Sequence, residues 1–268
     1  MLKFLRVWAL WLTAVCASPI WAAGFSAGSS QAGEELHFKP EQVISFAKKV
    51  ERTLAAKGAR VAIVARMGRP VSELPEGMHF THVAFAVYSE ITTSDGRKVP
   101  GYAMYNLYQQ DAHPDVSDLV QDFPVDFFAG VAHLEAGIIV PSAELQARLL
   151  EVIASPTYKA LHEPHYSLIA NPFTLGRQNC TEFVLDVTNA AIYQTSDIKV
   201  IKANEKAFFT AQPVNVNPFK LMLGSMFSKE VSTSDHPAGT PLTATFEKVA
   251  AYLSKYDPST VVLTVLPD

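Results

Sequence analysis

The run "HFTHVAFAVYSEI" (79–91) constrains the fold more than any other stretch of the chain. Its alternation sets His82, Ala84, Ala86 and Tyr88 on one side and Val83, Phe85 and Val87 on the other, the two-residue period of a β-strand. "SDGRK" then carries the Asp95-Gly96 turn pair, and "GYAMYNLYQQ" (101–110) is a second β-rich run, so an antiparallel hairpin is expected, loosened by Pro100 and Gly101. The two small alanines beside His82 leave room for a closely packed helix, as a helix carrying a nucleophile would need.

Helical and extended patterns occupy separate blocks around this hairpin. Residues 39–58 read as a helix opened by Pro40 and stopped by Gly58, with Val43, Ile44, Ala47, Val50 and Leu54 on its apolar face. "RVAIVAR" (60–66) and "EAGIIVP" (135–141) read as strands, and Ser142 caps a helix that turns Leu145, Leu149, Leu150 and Ile153 inward. Further on, residues 179–193 are expected to be helical, "DIKVIKAN" (197–204) extended, 243–256 helical and "TVVLTVL" (260–266) a final strand. Such blocks fit the α+β class better than a doubly wound sheet.

Lys3 and Arg6 precede an apolar run from Val7 to Ala17, too short to span a bilayer, and small residues follow it. This predicts a signal peptide over 1–23, a flexible leader over 24–36 and a single domain over 37–268. The expected location is the periplasm, with no stable membrane anchor after cleavage, because Thr13-Ala14-Val15 ahead of Cys16 is a poor lipoprotein signal. A net charge of -4 gives no reason to expect a nucleic-acid partner. The oligomeric state is left open.

Cleavage would remove Cys16 and leave Cys180 as the only cysteine, unable to form an internal disulfide. Asn179 is a strong N-cap and Glu182 stands where a capping box needs it, so Cys180 is expected in the first turn of a helix. Unsatisfied amides and the helix dipole favour a thiolate there. The same amides suit an oxyanion, with the side chain of Gln178 or Asn179 as a further donor. A free cysteine is equally at home as a buried small hydrophobe.

A nucleophile needs a base. His79 and His82 open the most strand-like run, whereas His113, His133, His162, His165 and His236 read as surface residues. Pro164 breaks the spacing that His162 and His165 would need to share a metal, so neither metal nor cofactor is expected.

"FTHVAFAVY" followed by "RQNCTEFVLD" resembles the circularly permuted branch of the papain-like cysteine hydrolases, the cell-wall amidase and acyltransferase group. The resemblance implies a permuted papain-like fold, an antiparallel sheet packed against a helix that carries the cysteine at its N-terminus. It further implies Cys180 as nucleophile and His82 as general base. The orienting residue should lie on the next strand, where Asn106 is the best placed and Gln109 and Gln110 are alternatives. Through "VARMGRP", "THVAFAVY", "YNLYQQD", "DFPVDFF" and "GRQNCTEFVLD" the chain is also similar to the domain of unknown function 2145 family, which brings no activity with it. The expected chemistry is attack on an amide or ester through a thioester, on cell-wall peptides, lipid esters or N-acyl amides; Phe123, Phe127 and Phe128 would line an apolar groove for the lipids, although aromatic clusters of this kind more often pack into the core. A non-catalytic periplasmic binding or assembly protein on the same fold is the other class.

Overall fold

The computed structural model describes residues 37–215, 231–237 and 239–268. The expected signal peptide and leader lie outside them. The class is α+β: a six-stranded antiparallel sheet of order β4-β3-β2-β1-β5-β8 with helices on both faces. The strands are β1 (Val61–Met67), β2 (His82–Thr92), β3 (Lys98–Gln109), β4 (Ser117–Asp122), β5 (His133–Val140) and β8 (Val261–Val265). A separate two-stranded ribbon pairs β6 (Gln212–Pro213) with β7 (Leu242–Thr243). Among the described residues, no helix is long and apolar enough to cross a membrane.

Alternation along the central strands produces two cores. Val61, Ile63, Val83, Phe85 and Val87 face α3 (Ala143–Ala154), α5 (Cys180–Tyr193) and α7 (Phe246–Tyr256). Ala62, Val64, Ala84 and Ala86 face α1 (Pro40–Ala56) and α2 (Pro124–Phe128). The helix that carries Cys180 therefore packs over Val83, Phe85 and Val87, and the small Ala84 and Ala86 instead admit the α1–α2 layer. On α1, Phe46 takes the buried place expected for Ile44, which is 46% exposed, because the inward stripe runs Val43, Phe46, Ala47, Val50, Leu54.

The hairpin keeps one unbroken register from Thr92↔Lys98 to Phe85↔Tyr105, with Pro100 and Gly101 inside it. Pro100 costs no ladder bond on the far side because β4 joins β3 only from Met104 onward.

Residues 197–204 are not extended. They open α6 (Ile198–Phe208), capped by Asp197, whose carboxylate accepts the Lys199 N–H. Ile198 and Val200 imitate strand alternation, yet Val200 is exposed while Ile201, Lys202 and Glu205 turn inward. Lys202 sets this face. Its ammonium donates to Glu182 and Asp186 of α5 at 2.8 and 2.6 Å and lies 3.2 Å from Glu205, and all four residues are buried. Burial raises the Glu182 and Glu205 carboxyl pKa values, and neighbouring carboxylates push the same way. Burial alone would lower Lys202, but the three acids hold it charged. The cluster fastens α6 to α5.

Removing the cation leaves buried carboxylates facing one another. Lys202→Ala is expected to lower unfolding stability by about 3–5 kcal/mol, measured by urea denaturation at neutral pH. A loss below about 1 kcal/mol, the value of an exposed pair, would contradict the buried cluster.

Candidate active site

Cys180 is the first residue of α5, and the Asn179 side chain accepts the Glu182 N–H at 2.9 Å. The reciprocal half of the expected capping box is absent, because the Glu182 carboxylate turns to Lys202. Cys180 is free and 4% exposed. Burial raises its thiol pKa above the ordinary value, and hydrogen bonds from the Val83 and Thr181 backbone N–H groups work in the opposite direction. Burial outweighs the helix terminus, so the resting group is a thiol and not the thiolate expected from the local sequence.

The contact with Val83 follows from the sheet. Tyr88 N–H donates to Arg60, on the β1 side, so the N–H groups of Val83, Phe85 and Val87 point the other way, towards β3. Pairing with β3 stops at Phe85. The Val83 amide is thus free to meet the sulfur.

His82, the residue before it, is 8% exposed and stacks on Tyr108 with ring centroids 4.8 Å apart. Its Nε2 lies 3.1 Å from Asn106 Oδ1, while Asn106 Nδ2 donates to Asp122 Oδ1 at 2.7 Å. An amide oxygen only accepts, so the imidazole proton sits on Nε2 and Nδ1 is left as the basic nitrogen. Tyr108 OH closes the group on Asp122 Oδ2 at 2.8 Å. Buried Arg66 lies over the Tyr108 and Phe127 rings at 5.5 and 5.0 Å and donates to the Phe127 carbonyl. Burial, then the Arg66 charge, lowers His82 to about 3 although the Asn106 bond opposes this. Asp122 is raised to about 7 by burial.

The structure thus joins His82 to Asn106 and sets Cys180 against the amide beside His82. No hydrogen bond links Cys180 to His82 among the described residues. Gln109 and Gln110 turn away, to the Pro114 carbonyl and to Asp118. The side chains of Gln178 and Asn179 are committed elsewhere, which corrects their expected role as oxyanion donors. Gln178 bonds Leu161, Asp186 and the Glu163 N–H. Asn179 Nδ2 donates to the Leu168 carbonyl and to Thr243. The Cys180 N–H, with no acceptor among the described residues, is the donor that remains.

Sequence reasoning missed Arg66, Tyr108 and Asp122. All three stand in the quoted motifs "VARMGRP", "YNLYQQD" and "DFPVDFF", where basic, aromatic and acidic residues near the candidate base in the fold are the only signal. Of the other histidines, His79 pairs with Glu135 at 2.8 Å, His162 meets Ser117 and His165 meets Glu163. His236 corrects the surface reading, for its side chain is 3% exposed and bonds the Ile169 carbonyl. Phe127 and Phe128 are core residues on the α1–α2 side of the sheet, so they form no groove at Cys180.

Opposite pH slopes follow from the buried pair. His82 has a folded pKa below its unfolded 6.5, so its contribution to stability is lost as pH falls from about 6.5 towards about 3. Asp122 has a folded pKa above its unfolded 3.8, so stability is lost as pH rises from about 4 to about 7. Urea unfolding at several pH values should therefore show Asp122→Asn gaining on wild type as pH rises through that window. His82→Gln should gain as pH falls below about 6.5. A constant offset at every pH in either variant would contradict these burial effects.

No curated protein and no solved structure matches the chain. A family described as "Uncharacterized protein conserved in bacteria (DUF2145)" matches over residues 53–253, more than half of the chain, from the last turn of α1 into α7, and this span includes His82, Asn106 and Cys180. The chain belongs to the DUF2145 family.

Proposed function

We propose that the protein is an exported, periplasmic thiol hydrolase or acyltransferase of permuted papain-like architecture, acting on an amide or ester bond. The carrying observation is a buried cysteine at the start of a helix, packed in the core that includes Val83, with the preceding strand residue a histidine whose Nε2 lies 3.1 Å from an asparagine oxygen. Together Cys180, His82 and Asn106 supply a nucleophile, a base and the group that orients the base.

The resting thiol and the neutral imidazole define the step. The sulfur attacks the carbonyl carbon as its proton passes to His82 Nδ1, without a thiolate–imidazolium pair formed beforehand. The carbonyl oxygen becomes an oxyanion at the Cys180 N–H. Collapse breaks the bond to the leaving oxygen or nitrogen, which takes the proton from His82 and leaves a thioester on Cys180. Water, or an acceptor in a transfer reaction, then attacks the thioester carbonyl and gives its proton to Nδ1; the carbon–sulfur bond breaks, Nδ1 returns the proton to the sulfur, and the acyl group leaves with the thiol restored.

The buried thiol and the missing Cys180–His82 bond favour the second reading, a non-catalytic binding or assembly protein with Cys180 as packing. Ester hydrolysis by purified variants separates the two. Cys180→Ala and His82→Ala should each lower kcat/KM by at least roughly a hundredfold, as expected for a nucleophile and a general base. Asn106→Ala should lose less, and all three should keep the wild-type circular dichroism spectrum. Equal rates in wild type and Cys180→Ala would leave the binding reading.

A further inference from the structure

The cavity that opens onto Cys180 is about 360 Å³ and is walled by side chains from several separate segments. Leu74, Met78 and Phe80 come from the stretch before β2, Leu168 and Ile169 from the loop before α5, and Val214 directly follows β6. This volume lies near the lower end of small-molecule sites. Its walls are held in place. The Phe80 and Phe246 rings meet edge to face at 4.9 Å over Gly137, where an added Cβ would lie 2.7 Å from both. On the opposite side Asp235 accepts the Asn171 N–H at 2.8 Å, and His236 bonds the Ile169 carbonyl.

Three polar side chains of the wall, Thr81, Asn179 and Thr245, already serve the protein. Thr81 Oγ1 accepts the Gly68 N–H at 2.7 Å and reaches the Arg66 carbonyl. Asn179 spends its amide nitrogen on the Leu168 carbonyl and Thr243, and its oxygen caps α5. Thr245 caps α7 by accepting the Lys248 N–H. The charged lining residues, Arg69 and Glu73, are exposed at the rim. A peptide segment entering here would give up water for walls with few free side-chain partners among the described residues, at a cost for each amide. A hydrocarbon segment loses nothing of that kind and gains by burial.

Resting on the thiol acyl-transfer reading above, we infer that the substrate is an acyl donor with a short to medium apolar chain, an ester or N-acyl amide. The acyl chain fills the Leu74–Phe80–Leu168–Val214 cavity and the carbonyl meets Cys180. Peptide crosslinks are not the substrate. In the acylation step the bond from the carbonyl carbon to the leaving oxygen or nitrogen breaks as the bond to sulfur forms. The chain stays in the cavity as the thioester, and water later restores the thiol and releases the fatty acid.

The test compares kcat/KM for p-nitrophenyl acetate, hexanoate and monoglutarate, each corrected for the rate of Cys180→Ala. A fully buried methylene is worth about fourfold. Hexanoate should therefore exceed acetate by roughly tenfold or more, and exceed monoglutarate, whose chain ends in a carboxylate. Leu168→Asp, at a side chain on the cavity rim that is 41% exposed, should lower the hexanoate rate several-fold more than the acetate rate. Equal rates for the three esters, or a faster monoglutarate, would overturn the apolar acyl assignment while Cys180-dependent hydrolysis still stood. Absence of any Cys180-dependent rate would remove the acyl-transfer reading and this inference with it.

Discussion

Strands β2 and β3 stay paired from the Asp95-Gly96 turn down to Phe85↔Tyr105 and then part, and the site is built in that parting. Had the ladder continued, the Val83 N–H would be spent on β3 and Cys180 would have no amide to rest on. The same opening lets the Asn106 side chain reach back to His82. Around it the sheet carries an apolar layer on each face, so side chains of consecutive residues serve different neighbourhoods. His82 lies with Tyr108 and Phe127, whereas Val83 belongs to the core shared with Cys180.

Burial decides the electrostatics of this opening. A helix N-terminus lowers a thiol pKa when solvent or a cation shares the work, but Cys180 is enclosed and its pKa rises. His82 is kept neutral by the same enclosure and by Arg66. Two neutral partners fit proton transfer during attack better than a standing ion pair. Further from the thiol, the Lys202 cluster holds α6 against α5 and so steadies the helix whose first turn carries the nucleophile.

Much of this arrangement was legible in the sequence because it rests on local rules. The Asp-Gly turn fixes the hairpin register, which brings the Asn106 strand past the start of β2. Asn179 announces the helix start that places Cys180. Arg66 and Asp122 were not legible, since they come from β1 and β4 and meet only when four strands are ordered across the sheet. Lys202 hid for another reason: Ile198 and Val200 mimic a strand, and only the partners on α5 reveal why a lysine turns inward. The cavity walls come from aperiodic segments far apart in the chain. The side-chain amides of Gln178 and Asn179 looked available because their partners, Leu161, Asp186, Leu168 and Thr243, are set by tertiary packing.

The central claim is that Cys180 and His82 act on one proton. The most direct measurement is the rate of iodoacetamide alkylation of native Cys180 across pH, in wild type and in His82→Gln. The account predicts slow labelling with an apparent pKa above that of an ordinary thiol. It also predicts a clear loss of rate near neutrality when the imidazole is replaced, because Nδ1 no longer takes the proton during attack. Identical profiles in the two proteins would show that His82 does not serve the thiol, and would contradict the account.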